Sequence, residues 1–318
     1  MSNGTVQASE GRTVVDGVDV LGSLSPSRAG DFMSCPLLFR FRTVDHLPEP
    51  FSPDAVRGTV VHKVLEDLFD LPAGERTPAR AAELIAPAWQ QVLEAEPEIA
   101  AMFGPDGADP GADPGEGPET PATRPAPVLG SWLESCRESL AGYFALEDPT
   151  RLEPAERELY VETLLASKLL LRGFVDRIDV APSGDIRVVD YKTGKAPGEG
   201  FEAKALFQMK FYALVIWRTR GVIPRMLQLI YLGSGELLRY SPDEQDLLAT
   251  ERKVEALWKA IVTAQETGDW RPRKSALCGW CAHRSICPEW GGTPPPLPAP
   301  DADSQPEAGA DAQPEAAP

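Results

Sequence analysis

Long hydrophobic runs are absent from this sequence of 318 residues. No stretch approaches the roughly 18 to 20 uninterrupted apolar residues that a membrane-spanning helix needs. The N-terminus also lacks the basic region and apolar run of a secretory signal. We therefore expect a cytoplasmic protein with no membrane partner. Its hydrophobic content of 42% is enough for a sizeable core.

Cysteine and positive charge are both scarce. The five cysteines are an odd number in a long chain, which argues against a disulfide framework and for thiols that are reduced or bound to metal. The net charge of −17 argues against contact with nucleic acid, because lysine and arginine drive phosphate binding. The acids are concentrated in residues 94–119 and 301–315, however, so the charge does not exclude such contact. Basic residues lie near the motifs described below: Arg28, Arg40, Arg42, Arg271, Arg273, Lys274 and Arg284.

Composition divides the chain into three parts. Residues 1–20 lack periodicity and residues 291–318 are rich in proline, alanine and acid, so we predict disordered tails at both ends. The domain between them, residues 21–290, carries a flexible insertion at 103–127, which contains GADP twice. Ser25 before Pro26 predicts a helix start, and residues 56–69 have helical spacing. Strand-like runs begin at Leu159 and are followed by a helix, further strands and a last helix, which together predict an α/β sandwich.

One predicted hairpin, residues 173–194, is the most informative segment. A turn at 182–184 separates two strand-like runs, and centring it on Ser183 sets Asp176 opposite Asp190. Lys192 points the same way, on a face that also carries Phe174, Ile178, Val180, Ile186 and Val188. Asp179 falls on the other face opposite Arg187, as in an ordinary surface ion pair.

Two opposed carboxylates on an apolar face repel each other unless a cation or a proton neutralises them. A divalent metal such as Mg²⁺ would resolve the repulsion, since it prefers oxygen ligands and keeps open positions for water and phosphate. Lys192 could then orient a water molecule. The alternatives are a bulge that turns one acid to solvent, or a simple ion pair with Lys192.

The hairpin, GFVDRIDV followed by VVDYKTGK, resembles the Asp…Asp-x-Lys signature of PD-(D/E)XK nucleases in its RecB-family version. RGTVVHKVLEDLF resembles the family's helix with a metal-site histidine, and FQMKFYAL its Gln-x-x-x-Tyr motif. SPSRAGDFMSCPLLFRF resembles the N-terminal segment, so the likeness spans about residues 23–290. It implies a restriction-endonuclease-like core, a mixed sheet flanked by helices, with a helical N-terminal portion and a C-terminal cluster segment.

The resemblance also implies a role for each matched residue. His62, Asp176, Asp190 and the Tyr191 carbonyl would hold Mg²⁺ or Mn²⁺, and Lys192 would assist the water. Gln208 and Tyr212, four residues apart on one helix face, would orient substrate or the lysine. Without the resemblance, His62, Gln208 and Tyr212 would be ordinary packing residues. Glu158, on the preceding strand, could add an acid, whereas Glu66 is expected to be an exposed or ion-paired helix acid.

Three of the cysteines, Cys278, Cys281 and Cys287, form a C-x2-C-x5-C segment that suits metal binding, with one ligand place left. Cys35 or His283 could take that place, and thiolates alone do not separate zinc from an iron–sulfur cluster. RecB-family nucleases of the AddB type hold a [4Fe–4S] cluster with one distant and three clustered cysteines. The resemblance thus implies a cluster on Cys35, Cys278, Cys281 and Cys287, and leaves Cys136 as an inert core residue.

The resemblance therefore implies a DNA nuclease, acting as an exonuclease on single strands or ends in repair or recombination. A non-catalytic DNA-end-binding or scaffold module is the alternative, although the intact acids and Lys192 argue against it. The chain has no G-x-x-x-x-G-K-[ST] loop, so we expect any helicase partner to be a separate subunit.

Overall fold

The computed structural model describes residues 6–9, 12–15, 18–103, 127–198 and 202–298. Strands β1 (Val6–Ser9), β2 (Arg12–Val15) and β3 (Val18–Asp19) form a small antiparallel sheet. The sequence predicts a disordered tail there, so these strands depart from that expectation. Most of the predicted insertion, residues 104–126, and most of the predicted C-terminal tail, residues 299–318, lie outside the described residues.

A helical portion follows the short strand β4 (Gly22–Leu24). Ser25 accepts a hydrogen bond from the Arg28 N–H and begins the first helix, as predicted, because it satisfies an otherwise unpaired amide. The helices of this portion are α1 (Pro26–Ser34), α2 (Pro36–Phe39), α3 (Pro53–Leu68), α4 (Pro78–Ala95) and α5 (Leu129–Leu146). A π-helical turn, Arg40–Val44, continues α2.

The remaining elements confirm the predicted order of strands and helices. They are β5 (Glu156–Leu164), β6 (Leu169–Val180), β7 (Ile186–Lys192), α6 (Glu202–Arg220), β8 (Met226–Tyr231), β9 (Glu236–Tyr240) and α7 (Glu244–Thr267). Asp243 and Asp246 cap the start of α7 reciprocally, and Gly268 ends it with a φ of 71° that suits glycine. The chain then runs through three short 3₁₀ turns.

The main sheet is mixed and is organised around β6. One edge of β6 pairs antiparallel with β5. The other edge pairs in parallel with β4 at its start and antiparallel with β7 at its end. Beyond β7 lie β8, which is parallel to it, and β9, which is antiparallel to β8. The expected α/β core is therefore present.

Two hydrophobic cores cover the two faces of this sheet. The first core joins the sheet to α1, α2, α6 and α7, and the second joins it to α3, α4 and α5. The arrangement is a three-layer sandwich with β6 and β7 at its centre. Among the described residues, no helix combines the length and apolar character needed to cross a membrane.

Candidate active site

The site forms where β6 and β7 separate. Their pairing ends at Arg177 opposite Val189, and beyond this point β7 pairs only with β8 among the described strands. The backbone N–H and C=O groups on this unpaired edge of β7 can therefore contact side chains. The Tyr191 N–H donates to Asp176 Oδ2 at 2.7 Å, and the Tyr191 carbonyl oxygen lies 3.0 Å from His62 Nε2. The split thus brings together three predicted site residues.

Packing of α3 positions the histidine. Val61 and Leu65 are buried in the second core, which holds α3 against the sheet. His62 then reaches the split, with Nδ1 3.5 Å from Asp176 Oδ2 and 3.9 Å from Glu158 Oε1. His62, Glu158 and Asp176 offer ligand atoms that all lie within 4.8 Å of one another. This arrangement suits a single metal ion.

The backbone of Glu158 has a conformation that is rare in strands. It lies between the pairs Arg157–Arg177 and Leu159–Val175, and so faces Asp176. Its φ of 43° is uncommon for a residue other than glycine and marks local strain, which concentrates at functional sites. The sequence predicts Glu158 only as a possible extra acid. Its proximity to Asp176 depends on how β5 pairs with β6, and the residue pattern does not specify that pairing.

A second group of side chains lies on the α6 side of β7 and consists of Asp190, Lys192, Gln208 and Tyr212. Gln208 Nε2 donates to Asp190 Oδ1 at 3.2 Å, while Gln208 Oε1 accepts from Lys192 Nζ at 2.9 Å. Lys192 Nζ also lies 3.1 Å from Asp190 Oδ2. Gln208 Nε2 contacts the Tyr212 hydroxyl at 3.5 Å. Gln208 therefore fixes the acid relative to the lysine.

The carboxylates of the His62–Glu158–Asp176 group and of the Asp190–Lys192 group affect each other's pKa values. Burial, together with the nearby charges of Asp176, Glu66 and Asp190, raises the pKa of Glu158 to about 8. Burial also raises the pKa of Asp190 to about 6, opposed by Lys192 and reinforced by Asp176. Both shifts reflect an excess of buried negative charge. A divalent cation would neutralise this excess.

The predicted hairpin register is confirmed where the strands pair. Ile178 lies opposite Val188 and Asp179 opposite Arg187. The ladder stops one residue before Asp176 and Asp190, so these acids lie on diverging strands rather than in a paired position. The predicted apolar face is wrong at two residues, since Phe174 is 38% exposed and Val180 is 44% exposed.

Asp179 belongs to a buried charge network instead of the predicted surface pair. It contacts Arg187 at 2.8 Å and also the buried Arg177 at 3.2 Å. Arg177 is only 1% exposed, pairs with Glu147 at 2.8 Å and donates to the Tyr191 hydroxyl at 2.6 Å. The network therefore supports β7 from the face opposite Lys192. Glu66, as expected, forms a helix ion pair, with Lys63.

Cys35 converges with the three clustered C-terminal cysteines. Cys35, Cys278, Cys281 and Cys287 all line one cavity between the N-terminal helices and the C-terminal turns. Backbone N–H groups of Arg273 and Ser275 donate to thiols in this cavity, each at 3.3 Å. Such N–H to sulfur bonds are typical of thiolate ligands held around a metal centre.

Neither the His283 side chain nor Cys136 lines this cavity. His283 is buried against Phe41, and its Nε2 lies 2.8 Å from Glu49 Oε1, so it is engaged elsewhere than as a ligand in place of Cys35. Cys136 is fully buried on α5, and burial raises the pKa of its thiol to about 12. The predicted core position of this cysteine is confirmed.

Comparison with known families identifies the domain. Residues 23–288 match the family model of the PD-(D/E)XK nuclease superfamily, which covers most of the chain. Members of this superfamily use divalent metal ions. The described site supplies the oxygen and nitrogen donors that such ions prefer.

The individual proteins that this chain resembles either match over short segments or have low sequence identity. The Gene 69 protein of Mycobacterium phage L5 is 29% identical over 121 residues, 37% of this chain and 39% of the relative. The Gene 69 protein of Mycobacterium phage D29 is 43% identical over 65 residues, 20% of this chain and 21% of the relative. The chain thus matches well under half the length of these curated relatives. A solved protein from Eubacterium rectale, provisionally described as an exonuclease, aligns over 80% of this chain and 85% of its own, with 12% identity and a TM-score of 0.49.

Proposed function

Because the chain belongs to the PD-(D/E)XK nuclease superfamily, we propose that it is a metal-dependent, RecB-like exonuclease. Its substrate would be single-stranded DNA or DNA ends, in repair or recombination. One observation carries the proposal: the split between β6 and β7 brings the His62 imidazole, the Glu158 and Asp176 carboxylates and the Tyr191 carbonyl together, and the paired Asp190 and Lys192 flank Tyr191 on β7. The motifs in RecB-family order support the finer assignment.

His62, Asp176, Asp190 and the Tyr191 carbonyl would hold Mg²⁺ or Mn²⁺, with Glu158 as a further ligand. The donor set fits, because it is rich in carboxylate oxygens, and Asp190 Oδ2 is buried with the Lys192 ammonium 3.1 Å away. Such an ion, when bound, polarises the phosphate and lowers the pKa of water.

The chain's own residues position the reacting groups. Lys192 Nζ is fixed by Gln208 Oε1 and Asp190 Oδ2, so its ammonium can orient water and offset charge that develops on the phosphate. Gln208 is a positioning residue, since it acts through Asp190 and Lys192. Any unwinding of DNA would come from a separate helicase subunit.

Linear and circular substrates test the proposal. The purified chain is incubated with end-labelled single strands, end-labelled duplex and circular single strands, in Mg²⁺ or Mn²⁺ and with a chelator. We expect cleavage of linear DNA only, which stops when the chelator is added. Binding of DNA ends without cleavage in any metal would contradict the nuclease and favour a non-catalytic end-binding module.

We further propose that the four converging cysteines hold a [4Fe–4S] cluster. Four thiolates on one zinc ion lie about 3.8 Å apart, given Zn–S bonds of about 2.3 Å. Within the described chain, however, no three thiols form a group with all sulfurs inside 4.8 Å. The wider spacing supports a cluster in which each cysteine binds its own iron.

Metal analysis tests the cluster. Anaerobically purified protein should be brown, absorb broadly near about 400 nm and carry about four irons per chain. Cys35→Ala should lose iron, whereas Cys136→Ala, which removes a thiol from α5, should retain it. A colourless protein with one zinc per chain would overturn the cluster and leave the nuclease proposal intact.

A further inference from the structure

An exposed aromatic pair lies beside the metal-site acids. Tyr160 on β5 and Phe174 on β6 are direct cross-strand neighbours, with ring centroids 5.2 Å apart and ring planes inclined at 59°. Tyr160 is 45% exposed and Phe174 is 38% exposed. Single exposed apolar residues are common, but two large rings in contact beside a candidate active site call for an explanation.

The pair continues the surface of the active site. Phe174 precedes Asp176 by two residues on β6, and Tyr160 follows Glu158 by two residues on β5. Side chains two residues apart on a strand share a face and lie about 7 Å apart. A phosphate held at the acids would therefore place a base of the same strand within reach of the rings.

The other face of these strands explains why the rings stay exposed. Val161 and Val175, the odd-numbered neighbours, are buried in the first core. The even-numbered side chains consequently face away from it. The Tyr160 hydroxyl donates to Glu162 at 2.8 Å, which limits the rotation of the ring toward solvent. The two rings thus form a fixed apolar platform at the mouth of the site.

We propose that Tyr160 and Phe174 stack on a nucleobase of single-stranded DNA next to the scissile phosphate. This inference rests on the proposed nuclease function and deepens it. A nucleobase fits because every base has an apolar face that stacks on aromatic rings. Duplex DNA covers its base faces by stacking, so the platform selects single strands or frayed ends.

Steady-state cleavage of single strands tests the platform. Tyr160→Ala with Phe174→Ala should raise KM by about 5- to 150-fold, the range for loss of one aromatic–base stack, and leave kcat within about twofold. Phe174→Trp should keep a KM near the wild-type value. Val180→Ala is the matched control, because Val180 is a comparably exposed apolar residue of β6 on the far side of Asp176.

Oligonucleotides with one abasic nucleotide locate the base. If the rings stack on it, one abasic position should raise the wild-type KM as much as the double substitution does, with no further loss when both are combined. Equal KM for wild type and the double variant, or additive losses at every position, would overturn the platform alone. A wild-type chain that neither binds nor cuts single strands would overturn the nuclease proposal as well.

Discussion

At the scale of single residues, Glu158 on β5 lies opposite the point where β6 changes which core its side chains face. Val175 and Ile178 both pack in the first core although they are three residues apart, which strict alternation forbids. Arg177, between them, lies against Tyr191 of the second core. The positive φ of Glu158 marks this change on the paired strand. The distortion brings Glu158 and Asp176 to His62.

Glu158→Gln should weaken divalent-ion binding by at least about tenfold, since even residues outside the first ligand shell contribute that much. Titration with Mn²⁺, followed by calorimetry or electron paramagnetic resonance, measures the loss. Glu156→Gln is the control, because this acid is on the same strand and pairs with Arg220 instead. Unchanged Mn²⁺ affinity in Glu158→Gln would remove Glu158 from the ligand set.

Arg177 should matter for stability more than any exposed arginine. Its removal in Arg177→Met leaves the Glu147 carboxylate without its nearest counter-charge, while Asp179 keeps only Arg187, at a cost of about 3 to 5 kcal/mol. Urea denaturation gives this difference. Arg137→Met, which removes an exposed ion pair with Glu134, should change the free energy of unfolding by less than about 1 kcal/mol. Equal losses in the two variants would show that burial of Arg177 is unimportant.

At the scale of elements, sequence patterns predicted the segments with strong local signals. The turn at 182–184 set the register of β6 and β7, and capping by Ser25 set the start of α1. Strand β4 was missed, because three residues carry no periodicity and its parallel partner is remote in sequence. The exposure of Phe174 was missed for a related reason, since the local distortion at Glu158 depends on tertiary pairing.

The ion pair between Glu49 and His283 ties the segment before α3 to the C-terminal turns. Burial favours neutral Glu49, but pairing with His283 and Arg42 outweighs burial and lowers the pKa of the carboxyl to about 2. A lowered folded-state pKa stabilises the fold above the ordinary value of 4.5, and this contribution is lost as the pH falls from 4.5 towards 2.

Glu49→Gln should therefore reduce the free energy of unfolding at pH 7 by up to about 3 kcal/mol. The difference from wild type should shrink as the pH falls below 4.5. Denaturation curves at several pH values measure it, with Glu134→Gln, an exposed helix acid, as the control. A difference that stays constant down to pH 2 would contradict a role for the carboxylate charge.

At the scale of the whole molecule, contacts between distant parts of the chain close the domain. Besides the thiol group, Arg273 donates to the Met33 carbonyl and Arg40 donates to the Pro295 carbonyl. The sequence predicted that Cys35 and the C-terminal cysteines meet, through the family resemblance alone. Sequence spacing does not predict which distant residues meet, because the free-energy cost of closing a loop depends only weakly on the loop's length.

A cluster in this position would make metal binding part of folding. Cys35→Ala should lower the thermal midpoint of the anaerobic protein by several degrees and shift it little further when iron is chelated. Cys136→Ala should keep a chelator-sensitive midpoint, although loss of its buried side chain costs some stability. Chelator sensitivity that persists in Cys35→Ala would show that the metal centre stabilises the fold without this ligand.

We propose that the split between β6 and β7 hydrolyses DNA. The most direct measurement is cleavage of an end-labelled single strand in Mn²⁺ by wild type, Asp190→Asn and Lys192→Ala, with binding of the same strand followed separately. We expect wild-type cleavage, a loss of at least about 10³-fold in both variants, and binding within about threefold. Lys195→Ala, which changes an exposed lysine nearby, should cleave normally. Wild-type rates in Asp190→Asn or Lys192→Ala would contradict the claim.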